Sequence, residues 1–384
     1  CRIGVAKIRP DSRMLSSATT TCQRNPQTSQ ALMDRRPLDK IKDKQTPAPP
    51  KRIWQEVNSF AQHSGMMQLE DLVINCLIGS GGFSDVVLAV NKQALRKQDL
   101  LGQPIEASDV VALKVVQKSP EKSATAEAIR AEHAVFKLLK HSPHPFLAKL
   151  VTFCESSTRT WIGLEYYPGG DMYALLSSEK TLSECDAQFY IAEISLALEH
   201  LHSMNVIYGD LKPENIMIGA DGHIRVIDFG LSTMLNHTEH YCAQSNRLEV
   251  TTGSGTLSYT APEILWRLPH RFESDWWALG VLAYEMVCGT LPWADENNEK
   301  LSFKICKEQL VLKPSLLRSP MSFALLAFIN SLLVKEPHKR LGYNESKQVL
   351  EHPFFSNVNF ELLLARQVQA PMLPSLSDAL DVSN

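Results

Sequence analysis

The sequence predicts an α+β chain in which a small antiparallel β-sheet lobe, with one helix against it, precedes a larger helical lobe. Two observations carry this reading. Short apolar runs rich in β-branched residues crowd the stretch that begins near Leu69. After Gly169-Gly170 the apolar residues recur at helical spacing instead.

Bulk properties narrow the function. With 384 residues the chain suits one large domain or two moderate ones. Apolar residues make up 44 % and charged residues 21 %, an ordinary globular balance that can bury a core. A formal net charge of −3 offers no footprint for nucleic acid or a membrane surface, so neither is expected as a partner. No apolar run reaches the ~20 residues that span a bilayer. The nearest, Trp276 to Trp293, contains Gly280 and Glu285 and reads as a buried core helix. The cysteines are scattered without a C-x-x-C pair, which suits reduced thiols in a cytosolic or nuclear protein and no zinc site. Residues 1–40 lack the apolar segment of a secretory signal.

The elements follow in order. Residues 1–68 are polar, and Thr46-Pro-Ala-Pro-Pro50 breaks any helix; a disordered extension or linker is expected. Leu72-Val-Ile74, Val86-Val-Leu-Ala-Val90, Val110-Val-Ala-Leu-Lys-Val-Val116 and Thr160-Trp-Ile-Gly-Leu-Glu-Tyr166 read as strands of one antiparallel sheet. Asn91 to Asp109 is polar and long for a hairpin connection. Ala124 to Lys140 has helical spacing. Leu182 to His202 is an amphipathic helix with Ser183 as N-cap and Asp186 three residues on. Ser274 to Cys288 and Ser322 to Val334 are further helices. No internal repeat stands out.

Five elements carry chemistry. Gly79-Ser-Gly-Gly-Phe-Ser-Asp-Val86 lies between two predicted strands, where glycines let a turn sit close over phosphates and point N–H groups at them. Alone it is equally a plain hairpin. Lys114 sits inside an apolar strand and needs an anion unless it snorkels to water; Glu132 in Arg130-Ala-Glu-His-Ala-Val-Phe136 is the candidate partner. Tyr208-Gly-Asp-Leu-Lys-Pro-Glu-Asn215 and Asp228-Phe-Gly230 are the decisive pair. Together they supply a carboxylate to orient a hydroxyl, a lysine for a transferring phosphate, and Asn and Asp as hard oxygen ligands for Mg²⁺. Ala261-Pro-Glu263 is the fifth.

In this order the motifs resemble the protein-kinase signature over about residues 69–355. Asp275-Trp-Trp-Ala-Leu-Gly-Val-Leu-Ala-Tyr-Glu285, Lys335-Glu-Pro-His-Lys-Arg-Leu-Gly342 and His352-Pro-Phe-Phe355 resemble the AGC group of Ser/Thr kinases in particular, and Leu363-Leu-Ala-Arg366 with Pro371 resembles the start of that group's C-terminal tail. The resemblance implies a bilobal protein-kinase-like fold, with a small lobe at 69–167 that includes helix C, a large lobe at 168–355, and a partial tail at 356–384. It implies ATP and Mg²⁺ as cofactors, and transfer of the γ-phosphoryl group to Ser/Thr of protein substrates by a monomer. Asp210 would orient the acceptor hydroxyl, and Lys212 would neutralise charge on the γ-phosphoryl. Asn215 and Asp228 would hold Mg²⁺. Lys114 would contact the α/β-phosphates and pair with Glu132. The implied nucleotide site further includes Gly79, Ser80, Gly81, Gly82, Val86 and Ala112. Glu165 and Tyr167 would offer backbone groups to adenine, Leu164 would be the gatekeeper, and Asp171 could reach the ribose. Asp275 and the Glu263–Arg340 pair would support the large lobe.

Departures from the pattern matter too. The third loop glycine is Ser84. Gly209 precedes Asp210 where the family usually has an Arg that grips an activation-loop phosphate, and Thr233 stands at the other usual basic position. Thr252 occupies the phosphoacceptor position, so weak dependence on its phosphorylation is expected unless Arg247 or a partner supplies the grip. Leu235 to Leu248 looks like an insertion, and its His237, His240 and Cys242 read as part of a solvated loop rather than a metal site. Asp171, Glu214 and Glu285 match positions where basophilic members place acids for substrate arginines. The alternative, a catalytically weak pseudokinase scaffold, predicts a lost Lys, Asp or Asn, and none is lost. A small-molecule kinase would not need the Ala-Pro-Glu segment or the Asp275 helix.

Overall fold

The computed structural model describes residues 66–374 except 81–83, 119–122, 237–239, 243–246, 252, 254 and 312–320. The expectations for residues 1–65, Gly81, Gly82, His237 and Thr252 lie outside the described residues, as do those for the side chains of Cys242 and Arg247.

Five antiparallel strands form the small lobe: β1 Leu72–Ser80, β2 Ser84–Asn91, β3 Val110–Gln117, β4 Leu150–Glu155 and β5 Arg159–Glu165, in the order β1-β2-β3-β5-β4. Four were expected. The fifth, β4, pairs only with β5 at the sheet edge. The register of β3 decides what the sheet presents. Val111, Leu113 and Val115 point to one side and are buried with Leu72, Val87 and Trp161. Ala112 and Lys114 therefore face the other side. There Ala112 pairs with Leu88 and Leu164, and Lys114 pairs with Val86 and Ile162.

The polar connection after β2 is not simply a loop. It holds helix α1, Lys92–Leu101, whose N-cap Asn91 accepts the Gln93 N–H at 2.8 Å. Gly102 ends it in the left-handed conformation at φ 63°. Leu95 of α1 packs with Leu88, Val90, Ile105 and Val110. Helix α2, Ser123–His141, matches the expected helix within a residue at each end and buries Ile129, Val135 and Phe136 in the main core.

The large lobe contains α3 Met172–Glu179, α4 Glu184–Ser203, α5 Pro262–Leu265, α6 Glu273–Cys288, α7 Asn298–Lys307, α8 Phe323–Leu332, α9 Lys347–Leu350 and α10 Phe360–Leu364. Capping sets the starts. Ser183 accepts the Asp186 N–H at 3.1 Å and returns its hydroxyl to the Asp186 carboxylate at 2.8 Å. Ser322 accepts the Leu325 N–H at 3.0 Å. Helix α6 is buried on nearly every face, as its apolar run predicts, and ends at Gly289 with φ 69°. Two-stranded ribbons β6–β9 (Val206–Ile207 with Thr233–Met234) and β7–β8 (Ile216–Ile218 with Ile224–Val226) carry the loops between α4 and α5. A third, β10–β11 (Tyr241–Cys242 with Arg247–Leu248), lies in the segment read as an insertion. Among the described residues no helix is long and apolar enough to cross a membrane. Cys76, Cys154, Cys288 and Cys306 are free thiols.

The large lobe is clasped by a fully buried ion pair. Arg340 donates to both carboxylate oxygens of Glu263 at 2.6 and 2.9 Å, to the Glu273 carbonyl at 2.8 Å and to the Val334 carbonyl at 2.9 Å. Its guanidinium lies 5.0 Å from the Trp277 ring centroid. Arg340→Ala leaves Glu263 charged and unpaired in the interior, so urea unfolding should show a loss of roughly 3–5 kcal/mol; a loss below about 1 kcal/mol would contradict this role.

Candidate active site

Strand β3 delivers Lys114 to the inner side of the sheet, and two carboxylates meet it there. Its Nζ lies 3.1 Å from Glu132 Oε2 on α2 and 3.2 Å from Asp228 Oδ1. Glu132 is only 2 % exposed, so its carboxylate is committed to the interior as the partner of Lys114. Burial works to lower the Lys114 pKa, but the Glu132 and Asp228 charges outweigh it and hold the ammonium above the ordinary lysine value.

Asp228 follows β8 in a left-handed turn at φ 58°, unusual for a residue with a side chain. Its Oδ1 also accepts the Gly230 N–H at 3.2 Å. Phe229 is fully buried, edge-on to Phe136 of α2 at 5.1 Å and to Tyr208 at 5.8 Å. This aromatic stack links the helix that carries Glu132 to the loop that carries Asp210.

That loop is anchored from below. Asp275 of α6 accepts the Tyr208 N–H and the Gly209 N–H, each at 2.8 Å, and lies 2.8 Å from His202 Nε2. The Tyr208 hydroxyl donates to the Ile227 carbonyl at 2.6 Å. Gly209 sits at φ 84°, and a Cβ there would stand 2.8 Å from the Leu231 carbonyl oxygen. Glycine meets both conditions without strain.

Asp210 is held by three neighbours. Lys212 Nζ donates to Asp210 Oδ2 at 2.7 Å. The Asn215 amide donates to the Asp210 carbonyl and Oδ2, both at 2.9 Å. The Thr256 N–H and hydroxyl approach Oδ1 at 3.2 and 3.3 Å. Lys212 Nζ also reaches the Thr256 hydroxyl at 2.9 Å. Thr256 was not singled out in the sequence; its position just before the Ala-Pro-Glu segment was the available signal.

Other expected residues fall as follows. Gly79 is the next-to-last residue of β1, opposite Val86, and the Ser80 hydroxyl donates to Asp85 at 2.7 Å. Glu165 ends β5 with its carboxylate on Lys149 at 2.9 Å. The Tyr167 ring is buried, and its hydroxyl accepts the Lys149 N–H at 3.3 Å. Asp171 caps α3, taking the Ala174 N–H at 2.7 Å. The Tyr259 hydroxyl donates to Glu285, whose carboxyl is pushed up by burial first and by exposed Glu214 in addition. Glu214 and Glu285 are therefore brought together around Tyr259. Asp171 caps the helix that packs on the turn carrying Glu214, but among the described residues no hydrogen bond or ion pair joins it to that pair.

The family model of the protein kinase domain matches residues 72–355. A serine/threonine-protein kinase of Dictyostelium discoideum is 31 % identical over 84 % of this chain and 64 % of its own length. A chain named as ribosomal protein S6 kinase alpha-1 of Caenorhabditis elegans is 33 % identical over 78 % of this chain and 35 % of its own. A protein kinase C-like 2 of Schizosaccharomyces pombe is 30 % identical over 97 % of this chain and 34 % of its own. The chain thus spans from about a third to just under two thirds of these relatives. Motif order, a five-stranded sheet over a helical lobe, and the meeting of Lys114, Glu132 and Asp228 agree with the family match: the chain belongs to the protein kinase family.

Proposed function

We propose that the protein transfers the γ-phosphoryl group of Mg-ATP to Ser or Thr hydroxyls of proteins, near basic residues. The observation that carries this is a pair of side-chain groups linked through Phe229: Lys114 between Glu132 and Asp228, and Asp210 oriented by Lys212, Asn215 and Thr256.

The donor set suits Mg²⁺. The Asn215 amide N–H groups are spent on Asp210, which leaves its side-chain carbonyl as the acceptor available to a cation. Asp228 uses only Oδ1 on Lys114 and Gly230. Two hard oxygens remain, and Mg²⁺ is commonly held by one or two protein oxygens with phosphates and water completing its shell. Among the described residues no group of three acidic, His or Cys side chains could hold a metal alone. When bound, the ion would neutralise phosphate charge.

The chain's own residues supply position and charge. Lys114 holds the α/β-phosphates with an ammonium already aimed by two carboxylates. Asp210 Oδ1 accepts the proton of the acceptor hydroxyl, and Thr256 keeps that oxygen in place. Lys212 stands beside it to stabilise charge developing on the transferred group. Glu214 and Glu285 form an acidic pair suited to a substrate arginine, which prefers carboxylate partners.

Full-length protein given γ-labelled ATP should label a Ser peptide carrying N-terminal arginines, and Asp228→Ala should abolish labelling. Asp210→Asn should lower kcat by about 10²–10⁴. Labelling undiminished by Asp228→Ala, or a peptide library selecting acidic or proline-flanked sites, would overturn the proposal. Because Gly209 replaces the usual phosphate-gripping Arg, Thr252→Ala should retain most activity; a loss of ~100-fold or more would show that activity depends on Thr252 and reject this expectation.

A further inference from the structure

We propose that Ser346, remote from the site in sequence, is a positioning residue for Asp210, acting through His202 and Asp275. The proposal deepens the protein-kinase reading above and rests on it.

Ser346 directly precedes α9 at the N-cap position, where a serine hydroxyl ordinarily accepts a backbone N–H of the first turn. Here it accepts none. Its Oγ lies instead 2.8 Å from Nδ1 of His202, in the last turn of α4, against which α9 packs. The other ring nitrogen, Nε2, lies 2.8 Å from Asp275 Oδ2. Ser346 is half-buried, whereas His202 and Asp275 are fully inside. The hydroxyl has given up a stabilising cap, and a buried imidazole is what it meets.

Two constraints fix that ring. Phe272 stacks on it with 4.4 Å between centroids and 13° between planes, and Trp276 meets it edge-on at 5.0 Å. Packing therefore sets the plane of the imidazole, but not which nitrogen carries the proton. Hydrogen bonding decides that. The Asp275 carboxylate is an acceptor, and its Oδ2 already takes the Tyr208 N–H at 2.8 Å, so Nε2 is the donor to it. In the neutral ring Nδ1 then holds a lone pair, and the Ser346 hydroxyl donates to it. Donation at Nδ1 polarises the ring and strengthens Nε2–H as a donor to Asp275. Without the hydroxyl, Nδ1 is a buried acceptor with no partner, and the bond that orients Asp275 weakens.

The remaining contacts of Asp275 carry this to the chemistry. They accept the N–H groups of Tyr208 and Gly209, the two residues directly before Asp210. A hydrolase uses the same order of groups to activate its serine. Here the cavity beside Asp275 is lined by Gly209, Asp210, Thr256 and Ala278, and not by Ser346 or His202, so the series serves orientation.

The test compares the full chain with Ser346→Val and Ser346→Thr, which share a shape and differ in the hydroxyl. Melting curves confirm that both are folded. With the arginine-containing Ser peptide as acceptor, Ser346→Val should lower kcat about 5-fold or more, and KM for Mg-ATP should stay within about 2-fold because Lys114 and Asp228 are untouched. Ser346→Thr should keep kcat within about 2-fold of the unaltered chain. Nitrogen NMR of the chain labelled in its histidine rings gives a readout apart from activity, with the His202 signals identified by their absence from His202→Gln. It should show Nδ1 as the acceptor and Nε2 as the donor. Ser346→Val should shift the Nδ1 signal, and Ser346→Thr should leave it in place. Equal kcat in all three proteins, an equal loss in both variants, a loss confined to KM for Mg-ATP, or a proton on Nδ1 alone overturns the proposal. Absence of transfer by the unaltered chain would instead fault the kinase reading, and the ring signals would still decide the Ser346–His202 contact.

Discussion

A single ammonium group organises this molecule. Lys114 sits on a strand between apolar neighbours, where a lone charge would be costly. It persists because two carboxylates reach it, one from helix α2 and one from the loop after β8. Those two elements also meet where Phe229 packs against Phe136. The strand must alternate so that Lys114 faces inward, α2 must turn Glu132 toward the sheet, and Asp228 must adopt a left-handed turn. A failure in any one leaves a buried charge without its partner.

The second constraint lies beneath the first. Asp275 on the buried helix α6 takes the backbone N–H groups of Tyr208 and Gly209, which fixes the loop that presents Asp210. Phe229 joins this support to α2 through Phe136 and Tyr208. Charge positions Lys114, Glu132 and Asp228, and aromatic packing keeps the two sets of carboxylates in register. Where the chain departs from its family, at Gly209, the backbone conformation accommodates the change without strain. The loss is a side chain that could have gripped a phosphate, and the segment beyond is supported instead by Ile207, Leu235, Val250 and Phe272 packing together.

Much of this was legible in the residues. Strand β3 is readable because a continuous apolar, β-branched run flanks Lys114 on both sides, and α4 and α8 because Ser183 and Ser322 announce their starts. The pairing of Lys114 with Glu132 could be named as a candidate but not decided, since each residue alone is better explained as exposed. Distance in sequence hid the rest. The stack of Phe136, Phe229 and Tyr208 joins three separated segments, and none of its members is unusual locally. Strand β4 was hidden because an edge strand needs pairing on one side only. Helix α1 was hidden by its polar composition, although Asn91 and Gly102 are ordinary helix boundaries. Thr256 carries no local mark of its contact with Asp210.

The most direct test is calorimetric titration of Mg-ATP into the full chain and into its Lys114→Met variant, with melting temperatures confirming that both are folded. The account predicts saturable binding that weakens by about 10-fold or more when the ammonium is removed, because a charge-assisted contact to phosphate and the bridge between Glu132 and Asp228 are lost together. Equal affinity in the two proteins would contradict it.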